Sequence, residues 1–208
     1  KYRAQNSKSK GTFTEKWLER DKYGSKTYEE WITNLAKDGY EYDEDLANKI
    51  LEKRESKDVK KIAENCSMAV TDTTTKIFVQ RLVINEDTGD EEIINDVLFE
   101  EKNRQHYAYQ NASEYAKNPN FKELPHNIVA TMDLTTLPKG CIIVYDANYK
   151  TSWNAKEYKD KYHIYGHIGI SDGTGSDVAA TRWPIVQGEK DTKIRGFVPV
   201  KNITKQAK

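Results

Sequence analysis

Tyr165-Gly166-His167-Ile168-Gly169-Ile170 places a single histidine between two glycines in a run of aromatic and β-branched residues. Glycine weakens a helix by about 1 kcal/mol relative to alanine, whereas the same residues alternate cleanly on a strand. His167 and Gly169 then share one face, and Ile168 and Ile170 the other. Gly169 also leaves room for a neighbouring backbone or a substrate to approach the imidazole. His167 is thus read as a base on a strand, with a satisfied structural histidine as the alternative.

Far upstream, Asn65-Cys66-Ser67-Met68-Ala69-Val70 reads as the start of a helix, with Asn65 as its cap. A cysteine there has its thiolate favoured by unpaired backbone N–H groups and the positive end of the helix dipole. Thiol catalysis needs a nucleophile, a base, a group that orients the base, and donors for the oxyanion. Cys66 would attack, His167 would take and return the proton, and the Cys66 backbone N–H would help hold the oxyanion. Asp177 is the first choice for the orienting group, because a carboxylate stabilises a protonated imidazole. Ser176, Thr181 and Asp172 stay open, since the register after Asp172-Gly173-Thr174-Gly175 decides which side chains face His167. The competing reading makes Cys66 a small buried apolar residue. Cys141 runs into Ile142-Ile143-Val144 and is assigned to the core, where burial raises a thiol's pKa.

Lys plus Arg and Asp plus Glu number 33 each, so no net field points to nucleic acid. The apolar fraction is only 37%, but 13 Tyr, 5 Phe and 4 Trp supply large surfaces to bury, and the 208 residues suffice for a core. No apolar run approaches the roughly 20 residues that span a bilayer. Two cysteines argue against a disulfide scaffold, leaving one Cys66–Cys141 bridge as an alternative. The opening Lys1-Tyr2-Arg3-Ala4-Gln5 lacks both an initiator methionine and a signal-peptide core. That fits a mature secreted chain, or one relieved of a signal, anchor or neighbouring domain. Neither standard glycine-rich phosphate loop occurs, so nucleotide chemistry is unsupported.

Residues 1–60 read as a polar lead-in followed by a helical arm, and 61–208 as a catalytic domain with an insertion at about 76–125. Thr27-Tyr28-Glu29-Glu30 fits a capping box, with Trp31, Ile32 and Leu35 on one face and Gly39 as the stop. A second helix is expected from Asp43 or Asp45 through Leu46, Ile50 and Leu51, and a third from Ser56 through Val59 and Ile62 toward Asn65. Segments 76–84 and 93–99 flank Asp87-Thr88-Gly89-Asp90 as a hairpin, with helix the rival reading. A helix is expected around 105–117, where the Asn111-Ala112-Ser113 sequon is taken as incidental. Four strands follow: 140–145, 165–171, 178–183 and 195–200. Trp183, Tyr145, Tyr162 and Tyr165 are candidate groove walls, with the core as their default place. His163 and His167, four apart, could bind zinc together with His126 or a carboxylate, but the glycines favour a strand over the zinc-binding helix.

These residues resemble the NlpC/P60 and CHAP group of papain-like cysteine peptidases and amidases, which act on bacterial cell walls. In those families a helix begins at the catalytic cysteine, often within Asp-Cys-Ser-Gly; Asn65-Cys66-Ser67-Met68 keeps the Cys-Ser step. A strand commonly reading Gly-Asp-Ile-Ile-Val-Phe corresponds to Gly140-Cys141-Ile142-Ile143-Val144-Tyr145, and Gly-His-Val-Gly-Ile to Gly166-His167-Ile168-Gly169-Ile170. Met68 replaces the usual glycine and Cys141 the usual aspartate. The resemblance covers roughly 65–200. Type VI secretion amidase effectors share the scaffold, and some place an aspartate beyond the hairpin turn, which favours Asp177.

The resemblance implies an α+β, papain-like fold with the cysteine at a helix N-terminus packed on a small antiparallel sheet. It also implies a cysteine amidase or endopeptidase acting on peptidoglycan stem peptides or crossbridges through an acyl-enzyme on Cys66. No metal or organic cofactor is required, and the setting is extracytoplasmic: periplasm, cell wall or secreted. The partners considered beside the wall substrate are an inhibitory immunity protein or a scaffold protein. The alternatives are a protease, deamidase or acyltransferase on another amide, and a non-catalytic wall-binding or partner-binding module.

Overall fold

The structure, a computed structural model, describes residues 27–56, 65–105, 108–145, 166–185 and 194–203. The lead-in at 1–12, the interior of the expected 56–65 helix, and His163, Tyr162 and Tyr165 lie outside them. In chain order come α1 (Tyr28–Lys37), β1 (Tyr40–Tyr42), α2 (Glu44–Glu55) and α3 (Cys66–Thr75), then β2 (Phe78–Ile84) and β3 (Glu91–Val97). Next are α4 (Ala112–Lys117), β4 (Phe121–Glu123) and α5 (His126–Thr131), then β5 (Ile142–Tyr145), β6 (His167–Ser171), β7 (Ser176–Val178), β8 (Arg182–Pro184) and β9 (Ile194–Asn202). No described helix is long and apolar enough to cross a membrane.

The described residues form a mixed α+β structure around a seven-stranded antiparallel sheet, ordered β1-β9-β5-β6-β7-β8, with β4 also paired to β9. Period-two alternation sorts β5 between two apolar clusters. Ile142 and Val144 join Leu46 and Ile50 of α2, Val70 of α3, and Ile168 and Ile170 of β6. Cys141, Ile143 and Tyr145 join Trp31 and Leu35 of α1 and Ile128 of α5. The sheet is therefore covered by helices on both faces, which is why β5 reads as an unbroken apolar run.

The capping reading of α1 holds: Thr27 accepts the Glu30 N–H at 3.2 Å, and Gly39 ends the turn at φ 80°. Asp43 caps α2 by accepting the Leu46 N–H at 2.9 Å. Over residues 27–56 the expected arm is part of the sheet and its cores, because β1 pairs with β9 and both helices bury their apolar stripes against the strands. Likewise, the far end of the expected insertion supplies β4 and the buried Phe121.

Two expectations are corrected. The strand expected at 178–183 is split between β7 and β8 by a reversal at 179–181, where the Ala179 N–H bonds the Thr181 carbonyl at 2.9 Å. Without glycine or proline, the alternation there hid the turn. The helix expected at 105–117 has Gln105 outside it: α4 begins at Ala112, preceded by a 3₁₀ turn at Ala108–Asn111. The Asn111 side chain takes the Gln105 N–H at 3.0 Å, a side-chain bond that competes with helical pairing. The β2–β3 segment is a hairpin as expected, with Phe78, Ile84 and Ile93 exposed.

Candidate active site

Asn65 caps α3 by accepting the Met68 N–H at 2.9 Å, so Cys66 is the first helical residue. Every residue of α3 from Ser67 to Thr74 except Met68 is buried, although three of them are threonines. Their hydroxyls are satisfied within the helix: Thr71, Thr73 and Thr74 donate to the Ser67, Ala69 and Val70 carbonyls at 2.8, 2.7 and 3.1 Å. A polar-looking helix can thus pack against the sheet with its hydrogen bonds made.

His167 opens β6, 3% exposed, opposite Tyr145 in the ladder, with ring centroids 6.0 Å apart. Its Nε2 lies 2.8 Å from Oδ1 of Asp177, which is fully buried. The imidazole also interacts with the Cys66 thiol, by hydrogen bonding and by charge. The structure therefore brings Cys66, His167 and Asp177 together in one chain of contacts. Asp172 instead organises the turn, accepting the Thr174 N–H at 2.8 Å and pairing with Arg182. Ser176 is half-buried and Thr181 exposed.

The backbone of β6 completes the setting. The Ser171 N–H bonds the Cys141 carbonyl toward β5, so alternation turns the Ile168 N–H to the opposite edge. There β7 pairs only with Ile170 and Ser171. The Ile168 N–H is free of the ladder and bonds the Cys66 sulfur, as does the Ser67 N–H. In the first turn of α3, the Met68 N–H is taken up by Asn65 and the Ser67 N–H acts on the sulfur.

Burial alone would raise the Cys66 thiol, but the hydrogen bond and charge of His167, with the Ile168 and Ser67 N–H groups, outweigh it and hold the thiol below its ordinary range. Burial alone would likewise lower His167; the Asp177 carboxylate and its hydrogen bond, then the Cys66 thiolate, raise it to about 10. Both shifts favour a thiolate–imidazolium pair. Cys141 is fully buried, its thiol pushed up by that burial, and both cysteines are free.

A second network, invisible to motif reading, lies behind Cys66. Ser67 Oγ donates to the Gln105 carbonyl at 3.1 Å and accepts from Asn111 Nδ2 at 2.9 Å. Asn111 is fully buried, so the sequon asparagine serves as an internal clamp. His126 opens α5, and among the described residues no group of three or more His, Cys, Asp or Glu is placed to hold a metal. Trp183 opposes Asp177 in the β7–β8 register. No protein-family profile, curated protein or solved structure matches the chain.

Proposed function

We propose that this protein is a cysteine amidase or endopeptidase of papain-like design that hydrolyses an amide bond in the stem peptides or crossbridges of peptidoglycan. The Cys66 thiol at the start of α3, hydrogen-bonded to a His167 whose Nε2 meets the Asp177 carboxylate, is the observation that carries this reading. The choice of peptidoglycan rests on the resemblance of the cysteine and histidine segments to cell-wall amidases. The place of action that follows is outside the cytoplasmic membrane.

The chemistry follows from the positions. The Cys66 thiolate attacks the amide carbonyl carbon, and the oxygen takes up negative charge facing the Cys66 N–H. The His167 imidazolium donates its proton to the leaving nitrogen; the C–N bond breaks and a thioester remains on Cys66. Neutral His167 then takes a proton from water, whose oxygen attacks the thioester and releases the acid and the thiol. Asp177 keeps the ring oriented and stabilises its charged form throughout.

Purified peptidoglycan incubated with the wild-type chain and with Cys66→Ala, followed by mass spectrometry of soluble products, tests this reading. Amide-cleavage fragments are expected from the wild type alone. Their absence with folded protein, across Gram-negative and Gram-positive walls, would move the activity to another amide or remove it.

A further inference from the structure

Arg54, in the last turn of α2, is 3% exposed and 125 residues from its main partner. Its Nε donates to the Ala179 carbonyl at 2.6 Å, Nη2 donates to the same oxygen, and Nη1 has no partner among the described residues. The acidic groups that act on it are Glu55 beside it and Asp72 of α3, itself paired with Arg104. Glu55 in turn reaches Arg182 at 3.3 Å. Two successive residues of α2 thus hold the two ends of the reversal that joins β7 to β8.

What that reversal carries is Asp177. Its Oδ1 bonds His167 and its Oδ2 has no partner among the described residues, so no second side-chain bond orients the carboxylate. Its position depends on the backbone of a three-residue strand joined to β6 by two residue pairs. An apolar side chain of Arg54's size would fill the same space without desolvating a charge. A guanidinium adds a two-armed, charge-assisted grip on one carbonyl, two residues beyond Asp177.

Resting on the reading of Cys66, His167 and Asp177 as a catalytic triad, we propose that Arg54 is a positioning residue for that triad: it fixes the end of β7 through the Ala179 carbonyl and so keeps the Asp177 carboxylate on the His167 ring.

The test titrates the His167 ring by NMR, its signal among the chain's four histidines assigned with His167→Ala, alongside the pH dependence of Cys66 alkylation by iodoacetamide. In the wild type the imidazolium should persist into alkaline pH and Cys66 should alkylate below the ordinary thiol range. If the wild type instead titrates as an isolated imidazole and an ordinary thiol, the triad reading and this proposal fall together. With the wild type as expected, Arg54→Met should move the His167 titration down by about one pH unit or more, a tenfold change in proton affinity. Arg54→Lys, which keeps the charge but not the fork, should move it less in the same direction. A folded Arg54→Met that melts earlier but titrates like the wild type would make Arg54 a structural anchor only and overturn the proposal, leaving the triad reading intact. If Arg54→Met does not fold, Arg54→Lys decides: a downward shift sustains the proposal, a wild-type titration overturns it.

Discussion

A β-carbon built on Gly169 would stand 2.2 Å from Oδ1 of Asp177. The carboxylate that holds His167 therefore occupies space that any other residue two positions along β6 would fill. Gly169→Ala should push Asp177 off the ring, and a misplacement of about 1 Å costs on the order of 100-fold in rate. Steady-state kinetics beside a circular dichroism spectrum check this: a folded variant with wild-type activity would mean that Asp177 is not needed where it sits.

The shifted protons fix the shape of the pH profile. Activity should rise as Cys66 ionises, at a pH below the ordinary thiol range, and fall as the imidazolium is lost at about 10. Both limbs belong to the coupled pair. Asp177→Asn removes the strongest stabiliser of the charged ring, so the alkaline limb should move toward the unperturbed value of about 6.5, with a rate loss of about 100-fold or more.

Stability should follow the same groups with opposite signs. Folded His167 binds its proton more tightly than the unfolded residue does, so its contribution is complete below about pH 6.5 and is lost as the pH rises toward about 10. For Cys66 the contribution is present above the unfolded value of about 8.5 and is lost as the pH falls through the lowered folded value. The gap between the melting temperatures of the wild type and His167→Ala should narrow as the pH rises across this range; a constant gap would place the histidine's contribution in packing alone.

The two thiols should separate in a labelling experiment. Iodoacetamide should modify the partly exposed Cys66 rapidly at neutral pH and reach the buried Cys141 only on unfolding. Equal protection of both would favour a structural role for Cys66.

Asn65→Ala removes the cap of α3 and should cost about 1 kcal/mol. In a chain of this size that lowers the melting temperature by roughly 2–4 °C. Loss of the fixed first turn should also slow the Cys66 reaction, measured as the alkylation rate at fixed pH. An unchanged rate would separate the cap from the lowering of the thiol.

Much of this was legible because the signals are local. Asn65 before Cys66, Thr27 with Glu30, and Gly166 to Ile170 each act within a few residues, and β5 announces its burial by an unbroken apolar run. What escaped is set by partners far along the chain. The buried state of α3 depends on threonine hydroxyls folding back on their own helix, so its residue types look half-exposed. The 179–181 reversal has no turn residue to mark it, and Asn111 reads as a sequon until Ser67 and Gln105 are seen beside it. Gly169 was legible as empty space, but not as space for Asp177.

The threonine-rich helix has one more consequence. Four threonines and a valine among ten residues make α3 a poor helix former alone, so its shape is lent by the strands it lies on. The lowered thiol is then an emergent property of the assembled tertiary structure rather than of the peptide around Cys66. A nascent or unravelled chain would carry an ordinary cysteine, chemically quiet, and reactivity would arrive only with the folded structure.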